Sequence, residues 1–177
     1  MISFVEALKR IEQHALDVSP QMRSALDAVG LPLVHDVITP IDLPPFDNSA
    51  VDGFAVNSRY AAAHTSLPIM AEMRACAQAA VVMPANNAIA IMTGAPVPHG
   101  ADSVVMKEDV LVLNSIAHIQ ASVVRNDNIR FRGEDCQQGD IIARKNSIVT
   151  PALVGVLHAL GMSHIEVAKP PCIHIIS

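Results

Sequence analysis

The sequence has no tryptophan, one tyrosine and four phenylalanines in 177 residues. It has three cysteines, far apart and with no C-x-x-C pair. That excludes a disulfide framework and fits Cys76, Cys136 and Cys172 as reduced thiols in a cytoplasm. There is no run of lysine or arginine, and the formal charge is −5. Nucleic acid is therefore disfavoured as a partner on electrostatic grounds, because neutralising phosphates takes clustered cations. No apolar run approaches the length that crosses a bilayer. The start, Met1-Ile2-Ser3-Phe4-Val5-Glu6, lacks the basic and then long apolar pattern of a secretory signal. Eight histidines are scattered without H-E-x-x-H or another short ligand spacing. No Walker A loop, G-x-G-x-x-G or G-x-S-x-G is present. The expectation is a cytoplasmic protein that binds neither membrane nor nucleic acid.

What is abundant is aliphatic. Apolar residues make up 51% of the chain, so the core must be built from Val, Ile, Leu, Met and Ala. A compact chain of this length buries roughly 70% of its unfolded surface and needs no staple. Two of the five aromatics, Phe46 and Phe54, flank one short polar stretch, Asp47-Asn48-Ser49-Ala50-Val51-Asp52-Gly53. It sets two carboxylates, an amide and a hydroxyl together, which suits a bound polar ligand better than a core.

Ser3 to Leu16 reads as a helix, with Ser3 and Glu6 in a capping-box pattern and Phe4, Leu8, Ile11 and Ala15 on one face. Gln21 to Val29 reads as a second helix stopped by Gly30. Leu31 to Ile38 is strand-like, and Pro40, Pro44 and Pro45 stiffen the connection that follows. Phe54 to Val56 looks like a strand entry. Ala88 to Met92, Ser103 to Met106, Val110 to Leu113 and Ile116 to Val124 read as strands separated by turn residues. Thr150-Pro151 opens a helix that Gly161 ends, and Ile165 to Val167 is a short strand. Cys172 to Ile176 starts a buried-type strand with no neighbour to follow it. We therefore expect the chain to be cut at the start of a further domain.

Three segments carry the polar chemistry. The first is 47–53. The second is Ile91-Met92-Thr93-Gly94-Ala95-Pro96-Val97-Pro98 with Gly100-Ala101-Asp102. The third is Asn128-Ile129-Arg130-Phe131-Arg132-Gly133-Glu134-Asp135. Carboxylates without nearby cations suit a hard cation such as magnesium. A hydroxyl beside exposed backbone N–H groups, such as Thr93 before Gly94, suits an oxyanion. Arg130 and Arg132 suit a phosphate or a balancing acid. Each segment also has a plain reading. Asp47-Asn48 and Asp52-Gly53 are turn chemistry, Thr93-Gly94 is a strand end, and Arg132 pairs with Glu134 or Asp135.

In this order the three segments resemble the MoeA family, the molybdopterin molybdenumtransferases, to which the E domain of gephyrin is related. The resemblance runs from the first helix to Ile176. It implies an α+β, β-rich fold in two domains, one of them discontinuous. We place the boundaries at 1–46 plus 140–170 for the discontinuous domain, whose first helix packs on a missing domain. The inserted β-rich domain is 47–139, and 171–177 begins a truncated pterin-binding domain. The resemblance also implies magnesium-dependent insertion of molybdate into adenylylated molybdopterin with release of AMP, in a homodimer. Matched residue by residue, Asp52, Thr93 and Asp135 are catalytic positions, with Asp52 and Asp135 orienting magnesium or its waters and Thr93 donating to an oxyanion. Ser49, Gly94 and Arg132 bind substrate. The family often has Met and Tyr where this chain has Val51 and Phe54. The acidic turn and the pterin pocket of the family do not occur here, so the chain alone is expected to be inactive. The alternative is a protein-binding or dimerisation module of the gephyrin kind.

Overall fold

The computed structural model describes residues 2–13, 19–75, 81–171 and 175. In chain order the elements are α1 (Phe4–Gln13), β1 (Pro20–Ser24), β2 (Val37–Ile38), β3 (Asn48–Ser49) and β4 (Gly53–Val56). A short α2 (Ser58–Ala61) precedes β5 (Ser66–Met73), β6 (Ala88–Ile91) and β7 (Ser103–Met106). A 3-10 turn over Lys107–Asp109 leads into β8 (Val110–Leu113), β9 (Ile116–Ile119) and β10 (Ile129–Arg130). The chain then runs through β11 (Ile141–Ala143), α3 (Pro151–Ala159) and β12 (His164–Ala168). These form two compact units, one from Met1–Pro40 with Gly139–Ser177, the other Ile41–Gln138.

In the first unit β1 pairs antiparallel with β12, from Pro20↔Ala168 to Ser24↔His164, and β2 pairs with β11. Thr150 caps α3 by accepting the Leu153 N–H at 3.2 Å, with Pro151 at the first helical position. The helix buries Val154 and Leu157 against Leu33, Val37, Val149, Ile165 and Val167.

Three expectations change here. Gln21 to Val29 is not a helix. Pro20–Ser24 is a strand, and the turns after it are held by the Ser24 hydroxyl, which accepts the Asp27 N–H at 3.1 Å and donates to its carboxylate at 2.7 Å. The helix-like spacing of Ala25 and Ala28 is real, because both are fully buried. Turns suffice to deliver it, and pairing with β12 overrides the weak local preference. Of the strand expected at Leu31 to Ile38, only Val37–Ile38 and isolated bridges at Pro32 and Leu33 form. The strand from Ile116 ends at Ile119 rather than Val124, where the Gln120 N–H turns to the Asp109 carbonyl at 2.8 Å.

α1 buries none of its residues. Phe4 is 77% exposed and Ile11 68%. The Ser3 cap accepts the Glu6 N–H at 3.2 Å. The expected helical residues 14–16 and most of the expected strand over 172–176 lie outside the described residues, as do Cys76 and Cys172. Cys136 is a free thiol.

The second unit is built on a six-stranded sheet in the order β7-β4-β6-β5-β9-β8. β4 is buried along its whole length. Its alternation puts Phe54 and Val56 into one apolar cluster, with Leu67, Val105 and Ile119. Ala55 joins the other, with Met73, Ile89, Ile91 and Val104. The β8–β9 hairpin turns at Asn114-Ser115, both at positive φ, the backbone that a two-residue turn of matching twist demands.

Gly53 begins β4 with no room for a side chain. A Cβ there would lie 2.0 Å from the Val105 carbonyl oxygen. Gly53→Ala is expected to cost about 3 kcal/mol or more in denaturant unfolding, since the clash is with strand backbone. Gly155→Ala, in α3 with nothing within 4 Å of the added carbon, is expected to stabilise by up to about 1 kcal/mol.

Candidate functional site

Asp52 lies in the turn between β3 and β4, and the register of β4 fixes what surrounds it. On one side Gly53 pairs with Ile91, so the chain leaving β6 passes beside Asp52 as Met92 and Thr93. On the other side Gly53 pairs with Met106, so Lys107 is the next residue across. The Thr93 N–H donates to Asp52 Oδ1 at 2.9 Å, and the Thr93 hydroxyl donates to the same oxygen at 2.8 Å. The Lys107 N–H donates to the Asp52 carbonyl at 3.1 Å, and Lys107 Nζ stands 3.4 Å from Oδ2.

Those donors hold the Asp52 carboxyl below its ordinary range. The Thr93 backbone N–H contributes most, then the Thr93 hydroxyl; burial opposes them, and Lys107 adds a lesser lowering. Each favours the charged form. Asp52 remains 39% exposed, so its oxygens stay accessible.

Gly94 has φ of +78°, the left-handed conformation that lets the chain turn directly after Thr93. Its N–H donates to the Ser49 carbonyl at 2.8 Å, and the Ser49 N–H donates to the Ala95 carbonyl at 3.0 Å. Ser49 itself is buried, at 1% exposure, and its hydroxyl donates to the Val51 carbonyl at 2.6 Å. It shapes the turn that presents Asp52.

The other flank of β3 pairs with β10, Ser49↔Ile129 and Asn48↔Arg130. All three sequence segments therefore meet on one two-residue strand. From β10, one Arg130 nitrogen, Nη2, bridges both Asp135 oxygens at 2.6 and 2.7 Å, and those bonds raise the guanidinium pKa further. The Phe131 N–H is taken by Glu134 at 2.9 Å. Arg132 turns to Asp42, not to Glu134 or Asp135, and its N–H donates to the Asp47 carboxylate at 2.8 Å. Asp42 is held below its usual range, first by the Gln138 N–H and then by Arg132.

Among the described residues no three His, Cys, Asp or Glu side chains gather as a metal site. The chain's offer to a hard cation is narrow. Asp135 has both oxygens on Arg130, and Asp52 Oδ1 carries two donors. Oδ2 of Asp52 faces Lys107 as its one side-chain partner among the described residues. Magnesium keeps several waters and takes one or two carboxylates, so Asp52 is compatible with service as a single ligand.

The sequence reading missed Lys107 and the Asp42 pairing. The strands 103–106 and 54–56 were visible as apolar runs, but Lys107 meets Asp52 only through their pairing. Asp42 precedes Arg132 by ninety residues, and no local pattern signals such a pair.

In fold the chain is an α+β protein of the kind seen in two solved structures from Pyrococcus horikoshii, both titled molybdopterin biosynthesis MoeA protein. One superposes with a TM-score of 0.86 at 24% identity, covering 97% of this chain and 45% of that one. The other gives 0.84 at 30%, covering 95% and 46%. The model of the MoeA N-terminal region (domain I and II) matches residues 2–161, and the chain belongs to that family. Curated relatives named molybdopterin molybdenumtransferase include proteins of Staphylococcus aureus, strain Mu50, and Staphylococcus epidermidis. The first is 30% identical over 178 residues, covering 97% of this chain and 42% of the relative. The second is 30% identical over 181 residues, covering 99% and 43%. The chain thus spans less than half the length of these relatives.

A depressed carboxyl contributes stability above its ordinary value of 3.8 and loses it as pH falls through the lower folded value. The Thr93 amide shift is expected to titrate with a midpoint below 3.8. Thr93→Val is expected to move that midpoint upward without restoring the ordinary value, because the backbone N–H stays. NMR titration of the two proteins checks this.

Proposed function

We propose that this chain is the N-terminal part of a molybdenum-cofactor enzyme that inserts molybdate into adenylylated molybdopterin with release of AMP. The observation that carries the reading is the convergence of the three motif segments on β3, with Asp52 ionised and aimed by Thr93. On this reading the chain supplies one wall of a cleft and the substrate-binding domain supplies the other. Magnesium would be held through Asp52 Oδ2 and would supply charge neutralisation to the phosphoryl and molybdate oxygens. Thr93 fixes the direction of the Asp52 carboxylate, and Ser49 and Gly94 provide the backbone on which both are mounted. Arg130 holds both Asp135 oxygens and so fixes the direction of that carboxylate, which on this reading would order metal-bound water. Arg132, balanced by Asp42, presents positive charge to an anionic substrate. The working enzyme is cytoplasmic and homodimeric, with molybdate and the adenylylated pterin as substrates.

Asp52→Ala in the complete enzyme is expected to lower molybdate insertion by about a hundredfold or more, with circular dichroism unchanged because the side chain is part-exposed. Unchanged insertion would sink the role. The 177-residue chain alone is expected to show no insertion, and full activity from it overturns the reading.

The second reading is a dimerisation or protein-binding module, favoured by the exposed apolar face of α1. Light scattering decides it. A dimer of this chain that dissociates on Phe4→Ser with Ile11→Ser supports that use, and a monomer in both proteins excludes self-association through α1.

A further inference from the structure

Lys107 is attached to Asp52 twice. The pairing of Gly53 with Met106 carries it across from Asp52, and its N–H donates to the Asp52 carbonyl at 3.1 Å. The ammonium then stands 3.4 Å from Asp52 Oδ2. A free surface ion pair has many geometries and little consequence. This one has its base fixed by the strand ladder, on a residue that follows β7 directly and opens the 3-10 turn Lys107–Asp109. Meanwhile Oδ1 is taken by two Thr93 donors. The single position left for a cation on this carboxylate is therefore the one that Lys107 faces.

We propose that Lys107 is a tethered competitor for the metal. A divalent cation at Asp52 Oδ2 and the Lys107–Asp52 pair exclude each other, and metal loading displaces the ammonium. This rests on the reading of Asp52 as the metal-facing carboxylate. The physical reason is elementary. A divalent ion and an ammonium within a few ångströms of the same oxygen repel with twice the strength of two unit charges, and both cannot be close ligands of it. At a partly exposed, salt-screened position this weakens metal binding by about tenfold. The displaced ammonium is left pointing into the same region with its charge unpaired, where an oxyanion can accept from it.

The test uses the ¹⁵N-labelled 177-residue chain and manganese(II) chloride as the probe. Paramagnetic broadening of the Thr93 amide, whose N–H donates to Asp52 Oδ1, reports metal at this carboxylate even when binding is weak. In Lys107→Gln the manganese concentration for half-broadening is expected to fall by about tenfold, and Lys107→Met is the second uncharged variant. Lys107→Arg keeps the charge and is expected to match the parent. Adding Asp52→Asn to Lys107→Gln is expected to abolish the broadening. Equal or higher manganese requirement in both uncharged variants overturns the proposal and leaves Asp52 as the metal-facing group. Absence of Thr93 broadening in every protein overturns both.

Discussion

The close contact of Gly53 with the Val105 carbonyl is the constraint on which the site depends. β4 is the strand between β6 and β7, and its first residue must pass a neighbouring backbone with no Cβ in the way. That approach sets the register on both sides at once. Thr93 and Lys107 reach Asp52 because they are the next residues along two neighbours of one strand. The Thr93 donors and the Lys107 backbone N–H are therefore in place once the sheet forms, and of the groups around Asp52 only the Lys107 ammonium has a long side chain left to order.

β3 extends the same economy. Two residues long, it is joined on one flank to the Gly94–Ala95 backbone and on the other to β10. So short a strand has little stability of its own. It persists because its neighbours are anchored elsewhere, in the β6 end of the sheet and in the Arg130–Asp135 and Arg132–Asp42 pairs. A shift at any of the three segments is felt by the other two through backbone bonds. The Asn48 and Ser49 side chains face inward, so their polarity is spent on the turn and Asp52 alone of that stretch is set between partners from two other strands.

Much of this was legible in the residues. Ser103–Met106 and Val110–Leu113 appear as strands with the bounds read from their apolar runs, because buried β-branched stretches between turn residues admit little else. The Thr150-Pro151 cap was likewise readable, since both residues act locally. The turn at Asn114-Ser115 was marked by residues that tolerate positive φ. What failed was set by distant partners. The segment 21–29 has helical spacing, yet Pro20–Ser24 takes its form from β12, about 140 residues away. The eight-residue β5 went unread, because Pro68 within it breaks the pattern; it is tolerated where β5 exchanges a parallel neighbour for an antiparallel one. For the site, the three segments were visible as polar residues in apolar surroundings, and Asp52, Thr93 and Asp135 within them were singled out by the resemblance to the MoeA family. Lys107 was not, because its meaning lies in register.

Asp52 and Asp42 share one electrostatic design. Asp52 is depressed by Thr93 and Lys107, and Asp42 by Gln138 and Arg132. A general base is most effective when its pKa lies near the working pH, and donors that stabilise a carboxylate move it the other way. The arrangement therefore suits charge and direction rather than proton transfer. Fixed negative charge, with cations placed at fixed positions against it, recruits and orients a charged ligand without changing protonation state. On the proposed function, proton movements fall to water or to groups other than Asp52 and Asp42. On that reading the chain contributes a preset field whose strength depends on how Lys107 divides its charge between Asp52 and an arriving ligand.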